Sequence, residues 1–255
     1  IGRFLISSTV IMIEIQQLKK SFGDLLVWQD VSFKIHDGET VAIIGRSGCG
    51  KSVLLKHINA LLEPDSGKVL IDGKNIFDLD YVDKRIMRQK FGVLFQGSAL
   101  FDSINTFENV AFPLRYFTDQ TEEEIRENVF QSLEYVNLES AADKETSELS
   151  GGMRKRVGIA RAIVLKPEYI MYDEPTSGLD PKTAGEINEL INSMSDTLDI
   201  TSIVVTHDMH SVLDVADSVA FLDEGKLSWS GSVEDMKTSE HRELMSFIRA
   251  SEYQI

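Results

Sequence analysis

Apolar residues in this chain alternate between two spacings, and the alternation marks out its elements. From Met12 to about Ile35 they recur at every second position (Ile13, Ile15, then Val31, Phe33 and Ile35), which predicts half-buried strands around a turn at Phe22-Gly23-Asp24. The unbroken run Thr40-Val41-Ala42-Ile43-Ile44 predicts a strand covered on both faces. After a glycine-rich loop, Val53, Leu54, Leu55, Ile58, Leu61 and Leu62 adopt helical spacing until Pro64-Asp65-Ser66-Gly67 ends the helix. A strand then runs from Lys68 to Ile71, and Asp72-Gly73 signals a hairpin.

Residues from about Gly97 to Val164 read as mostly helical. Thr121-Glu122-Glu123-Glu124 is a capping box that opens a helix with Ile125, Val129, Leu133 and Val136 on one face. Beyond this lobe, Tyr169 to Tyr172 and Thr201 to Thr206 are short apolar strands, each followed by a helix, so the βα alternation of a parallel sheet returns. The expected fold is α/β: a mostly parallel sheet, an N-terminal antiparallel β subdomain and an inserted α-helical subdomain over about 97–164. No internal repeat or low-complexity linker divides it, which makes residues 12–231 one folded unit. Residues 1–11 read as upstream sequence, because they lack a leader-peptide plan and Met12 looks like a natural start. The tail over 232–255, with Met236, Leu244, Phe247 and Ile248, predicts an amphipathic helix packed on its own subunit, with a second dimer contact as the alternative.

Composition narrows the function. At 255 residues with 42% hydrophobic and 26% charged positions the chain has a core, and no apolar run approaches the length of a membrane span. A net charge of -15 argues against a nucleic-acid partner, which favours a basic face, so a bound nucleotide needs locally concentrated positive charge. The single cysteine, Cys49, cannot form an intrachain disulfide and fits a reducing cytosol.

That local charge is found in the loop after the first buried strand. Gly45, Arg46, Ser47, Gly48, Cys49, Gly50, Lys51, Ser52 and Val53 carry the glycines that curl a phosphate-binding loop, whose backbone N–H groups and helix N-terminus converge on an anion. Lys51 adds a cation, and Ser52 is the hydroxyl for Mg²⁺. Asp173 and Glu174 end the strand Tyr169 to Tyr172, at the sheet edge where α/β folds place ligands; Asp173 is placed to hold Mg²⁺ and Glu174 to act as general base on a water. Gln96, after the strand Phe91 to Phe95, is placed to ligate the metal and sense the γ-phosphate. His207 occupies the same topological position after Thr206: it either donates to that phosphate or is a surface histidine beside the helix cap Asp208. Asp180 before Pro181 reads as a cap, and the Cys49 thiol, near a helix N-terminus, is expected to favour thiolate.

In order along the chain, the phosphate loop, Gln96, Leu149-Ser150-Gly151-Gly152, Asp173-Glu174, Ser177-Gly178-Leu179-Asp180 and His207 resemble the motif set of an ATP-binding cassette ATPase, over nearly the whole chain after Met12. The resemblance implies a P-loop ATPase core and a head-to-tail homodimer. In such a dimer each ATP lies between the phosphate loop of one copy and Ser150, Gly151 and Gly152 of the other. It also implies that Phe22 stacks on adenine, the alternative being a core aromatic at a strand end, that Asp180 communicates across the dimer, and that a cleft near Gln96 receives a helix from an integral-membrane permease. At finer scale the segments Gly50 to His57, Leu94 to Ser103 and Leu149 to Gly158 resemble the cassettes of Mce-type lipid transporters. That likeness implies phospholipid or hydrophobic-molecule transport between bacterial inner and outer membranes, an Mce-type lipid-binding subunit and a position on the cytoplasmic face of the inner membrane. A small-solute importer and a mechanical regulator of envelope enzymes are the rival readings. Met153 departs from the family's usual glutamine and cannot donate a hydrogen bond.

Overall fold

The computed structural model describes residues 11–251, so the reading of residues 1–10 and the last residues of the tail lie outside the described residues. The chain opens with β1 (Ile11–Phe22) and β2 (Leu25–His36), the antiparallel hairpin that alternation predicts. Ile11 already pairs with His36, so the boundary expected at Met12 falls inside β1. Next come β3 (Thr40–Gly45), α1 (Lys51–Ile58), β4 (Ser66–Ile71), β5 (Lys74–Asn75), α2 (Tyr81–Gln89) and β6 (Phe91–Leu94). The helical region holds α3 (Thr106–Phe117), α4 (Glu122–Tyr135) and α5 (Gly151–Ile163), and β7 (Tyr169–Asp173), α6 (Pro181–Leu198), β8 (Thr201–Val205) and α7 (Met209–Val215) follow. The chain ends in β9 (Ser218–Asp223), β10 (Lys226–Ser232), α8 (Val233–Lys237) and α9 (Arg242–Ala250).

The strands form one ten-stranded sheet in the order β5-β4-β1-β2-β10-β9-β3-β8-β7-β6. Its β9-β3-β8-β7-β6 portion is parallel throughout, while β1, β2, β4 and β5 are antiparallel, as expected. The two portions meet at one parallel pairing, Lys226 with Asp30, reinforced by the Gln29 N–H donating to the Gly225 carbonyl at 2.8 Å.

Burial explains why the parallel strands read as continuous apolar runs. Ile43, Met171, Ile203 and Val205 point into a core shared with α1 and the antiparallel hairpin, and Ile170, Tyr172 and Val204 point into one shared with α5 and α6. Each such side chain, fully removed from water, contributes about 1.5–3 kcal/mol. The inserted helices do not form a separate core. Val110, Leu114, Val129, Leu133 and Val157 pack in one cluster with Ile170, Tyr172 and Ile187.

Register then sets the position of the chemistry. Leu94 pairs with Tyr172, Asp173 with Val205, and Val205 with Ile43, so the carboxyl ends of β6, β7, β8 and β3 lie level along one edge. Whatever follows those strands emerges there.

Candidate active site

Glycine geometry shapes the loop between β3 and α1. Gly45 has φ 154 and Gly50 has φ 96; a Cβ on Gly45 would come within 2.4 Å of the Leu222 carbonyl oxygen, and one on Gly50 within 2.5 Å of Val27 Cγ1. The loop backbone is therefore pressed against β9 and β2, a closeness only glycine allows. Gly50 gives α1 no side-chain cap, which leaves the first N–H groups of that helix to a ligand. Lys51 folds back across the loop, its Nζ donating to the carbonyls of Gly45 at 2.7 Å and Arg46 at 3.2 Å.

A cavity of about 750 Å³ opens over this loop, lined by Gly45, Arg46, Ser47, Gly48, Gly50, Lys51, Ser52 and Val53, together with Gln96, Glu174 and His207. Asp173 stands behind Ser52, whose Oγ donates to its Oδ1 at 3.1 Å. Burial raises the Asp173 carboxyl above its usual range, and the Ser52 bond opposes that. Glu174 has a left-handed φ of 52, rare for a residue with a side chain, and its N–H donates to the Val205 carbonyl at 2.8 Å. Its carboxylate receives His207 Nδ1 at 2.9 Å on both oxygens, a contact that requires the proton on Nδ1.

The remaining expected residues fall elsewhere. Ser150 caps α5, its Oγ accepting from Met153 N–H at 3.2 Å, and a Cβ on Gly152 would come within 2.5 Å of Thr183 Cγ2. Asp180 caps α6, accepting from the N–H groups of Lys182 and Thr183 at 3.1 Å each. Ser150, Gly151, Gly152 and Asp180 thus belong to a second cluster where α5 meets α6, and none lines the cavity. Met153 is half-buried against the helical core. Phe22 is 47% exposed at the end of β1, with the Lys20 ammonium 5.4 Å from its ring centre; it is neither a core residue nor part of the cavity wall.

The Cys49 side chain departs from expectation. It packs against the core of the β1–β2 hairpin and α1, and burial raises its thiol pKa despite the nearby Lys51 charge, so the thiolate expected from the helix terminus is disfavoured.

Two contributors were not read from the sequence. The end of α9 reaches the cavity through Phe247, Ala250 and Ser251, which amphipathy alone does not foretell. Lys155, buried on α5, donates from Nζ to the carbonyls of Gln96 at 2.5 Å and Glu174 at 2.8 Å. Burial lowers its pKa, and the charges of Asp173 and Glu174 oppose that. Its signal was a lysine at helical spacing from Gly152 and Ile159, on the buried face.

This arrangement joins a phosphate cradle to an acid pair and a histidine at the carboxyl edge of a parallel sheet, and comparison with known proteins agrees with it. Residues 28–177 match the family model described as ABC transporter. The chain belongs to that family. The cassette is 40% identical over 238 residues to the intermembrane phospholipid transport ATP-binding protein MlaF of Haemophilus influenzae, covering 93% of this chain and 90% of that one. It is 42% identical to a probable ribonucleotide transport ATP-binding protein, mkl, of Mycobacterium leprae, covering 93% of this chain and 69% of the relative. Its fold is similar to a dimeric post-hydrolysis structure of the ATP-binding cassette MJ0796 bound to ADP and Pi, with TM-score 0.79, 32% identity and coverage of 87% and 99%. The cassette is an ABC transporter ATPase and binds ATP. Among the described residues, no helix is long and apolar enough to cross a membrane.

Proposed function

We propose that this cassette powers a bacterial inner-membrane transporter that moves phospholipid or another hydrophobic molecule between the inner and outer membranes, working from the cytoplasmic face as a head-to-tail homodimer. The observation that carries the lipid reading is 40% identity to a phospholipid-transport ATPase over 90% of that protein's length. The dimer reading is supported by the separation of two phosphate-seeking clusters that one copy does not bring together.

In this mechanism the loop from Gly45 to Val53 binds the triphosphate, and Phe22 stacks on adenine. Ser52, Gln96 and Asp173 fit Mg²⁺: a hydroxyl, an amide oxygen and a carboxylate are the hard donors that ion takes, and the Ser52 and Asp173 oxygens are already one hydrogen bond apart. When bound there, the ion would neutralise charge building on the phosphate oxygens. Glu174 takes a proton from the attacking water as that water bonds to the γ-phosphorus and the bond to ADP breaks. His207, pinned to Glu174 through Nδ1, presents Nε2 to the γ-phosphate and donates to it as the doubly protonated imidazolium. Ser150, Gly151, Gly152 and Asp180 serve the nucleotide held by the other copy. ATP binding closes the pair by bonding to both copies at once, and hydrolysis removes those bonds.

A groove of about 400 Å³ beside Gln96, with Leu61, Phe95, Phe101, Phe112 and Phe117 on its walls, suits an apolar segment of the permease. These side chains are exposed, and the Arg85 guanidinium lies 5.5 Å from the Phe117 ring. A small-solute importer is the second reading, favoured by the ribonucleotide-transport name of the mycobacterial relative. Co-purification from membranes separates them. A complex containing a permease, an Mce-type subunit and bound phospholipid supports the lipid reading, and a complex with a soluble solute-binding protein overturns it.

A further inference from the structure

Lys155 carries a positive charge in a place where an apolar side chain would pack at less cost. Its residue is only 5% exposed, on a helix otherwise held by Val157, Ile159, Ala160 and Ile163. A buried ammonium is tolerated where its charge is balanced and its donors are bonded, and replacing such a group by an apolar one is often neutral or stabilising. Stability therefore does not account for it. What distinguishes it is where its bonds go: to the main chain of the two residues on either side of the phosphate site, Gln96 and Glu174.

We propose that Lys155 is a positioning residue for ATP hydrolysis: it ties the main chains of Gln96 and Glu174 to α5, so that the carboxylate at Glu174 and the amide at Gln96 follow the movement of that helix. The inference rests on the reading of Glu174 as the base and Gln96 as the γ-phosphate sensor.

Three features support it. Glu174 is held in a left-handed conformation, which a residue with a side chain leaves unless its neighbours hold it there. Its N–H is held by the Val205 carbonyl of β8, and its carbonyl by Lys155, so the peptide is gripped from the sheet on one side and from α5 on the other. The loop after Gln96 is gripped by the same helix a second time, since Arg161 donates to the carbonyls of Ser98 at 2.6 Å and Ala99 at 2.7 Å. Ser98 and Ala99 also have left-handed φ values, 61 and 46, so that loop too is shaped by what holds it. Among the described residues, Lys155 alone bonds to both Gln96 and Glu174. Because α5 begins just after Ser150, a pull on its N-terminus reaches both through a little over one turn of helix.

The test compares Lys155→Met and Lys155→Gln with the parent protein, measuring ATP affinity and single-turnover hydrolysis separately, with Glu174→Gln as reference. Lys155→Met is expected to keep its ATP Kd within about threefold while hydrolysis falls by on the order of 10²-fold, the loss that a misplacement of about 1 Å brings. Lys155→Gln, which retains an N–H donor, is expected to recover part of that loss. Full hydrolysis by a folded Lys155→Met, or no recovery in Lys155→Gln, overturns the proposal. Normal hydrolysis by Glu174→Gln would instead overturn the assignment of the base. Should Lys155→Met fail to fold, hydrogen exchange in Lys155→Ala, which also lacks the donor, decides. Faster exchange confined to segments 96–99 and 174–178 supports the tie, and unchanged exchange in either segment removes it.

Discussion

The phosphate loop and the segment Leu149-Ser150-Gly151-Gly152 are both glycine-rich helix starts, yet they stand in different relations to the cavity of their own chain. Around the loop, Lys51, Ser52, Gln96, Glu174 and His207 converge on one cavity, and Gly45 and Gly50 are pressed against β9 and β2. Around the second segment, Ser150 caps its own helix and a Cβ on Gly151 would meet nothing closer than Leu179 Cδ2 at 3.4 Å. One copy therefore gathers Lys51, Ser52, Gln96, Glu174 and His207 around its loop, whereas Ser150, Gly151, Gly152 and Asp180 lie outside that cavity.

The largest expected effect tests the loop side. Glu174→Gln should retain ATP binding and lower turnover by on the order of 10²- to 10⁴-fold, the range for losing a general base. Equilibrium nucleotide binding alongside steady-state hydrolysis measures both, and near-normal turnover would move the base elsewhere. Mixing variants breaks the comparison more directly. Lys51→Ala and Ser150→Arg should each be inactive alone, but an equimolar mixture should recover about a quarter of parental activity, since half of randomly formed dimers then hold one intact site of two. No recovery on mixing would mean that each copy works by itself.

Paired glycine substitutions sharpen the contrast. Gly50→Ala puts a Cβ within 2.5 Å of Val27 Cγ1 at φ 96 and should cost about 1–3 kcal/mol of stability. Gly151→Ala, inside a helix with room for a methyl, should leave thermal stability equal or slightly higher yet reduce hydrolysis. Thermal denaturation and ATPase assays on the pair give the answer, and equal destabilisation in both would erase the distinction.

The smallest effect concerns Cys49. Burial raises its pKa, so the folded protein holds the thiol proton to higher pH than the unfolded chain does and the thiolate grows only as pH rises. Alkylation should be slower than for an unfolded thiol at pH 7.5 and should accelerate with pH. A rate matching the unfolded chain at pH 7.5 would put the thiol in solvent.

Much of this could be read along the chain because the relevant signals are local. The strand Thr40 to Ile44 feeding a glycine loop, the capping box at Thr121, and Asp180 before Pro181 each act within a few residues, and each stands where expected. What was not legible depended on partners distant in sequence. Helix α2 buries little beyond Met87 and leaves Tyr81, Val82 and Ile86 exposed, so its apolar residues do not mark a core face. The Cys49 thiol was misread for the same reason: the helix terminus is local, but the hairpin that covers the sulfur is not. Lys155 was passed over because its bonds go to main-chain atoms, which carry no residue-type signal.

The last turn of α9 has a practical bearing on anyone who handles this protein. Leu244, Phe247 and Ile248 seat that helix on β3 and β9, and Ala250 and Ser251 line the same cavity as Arg46 and Ser47. A label or bulky substitution at Ala250 or Ser251 therefore changes the wall of the cavity that ATP enters.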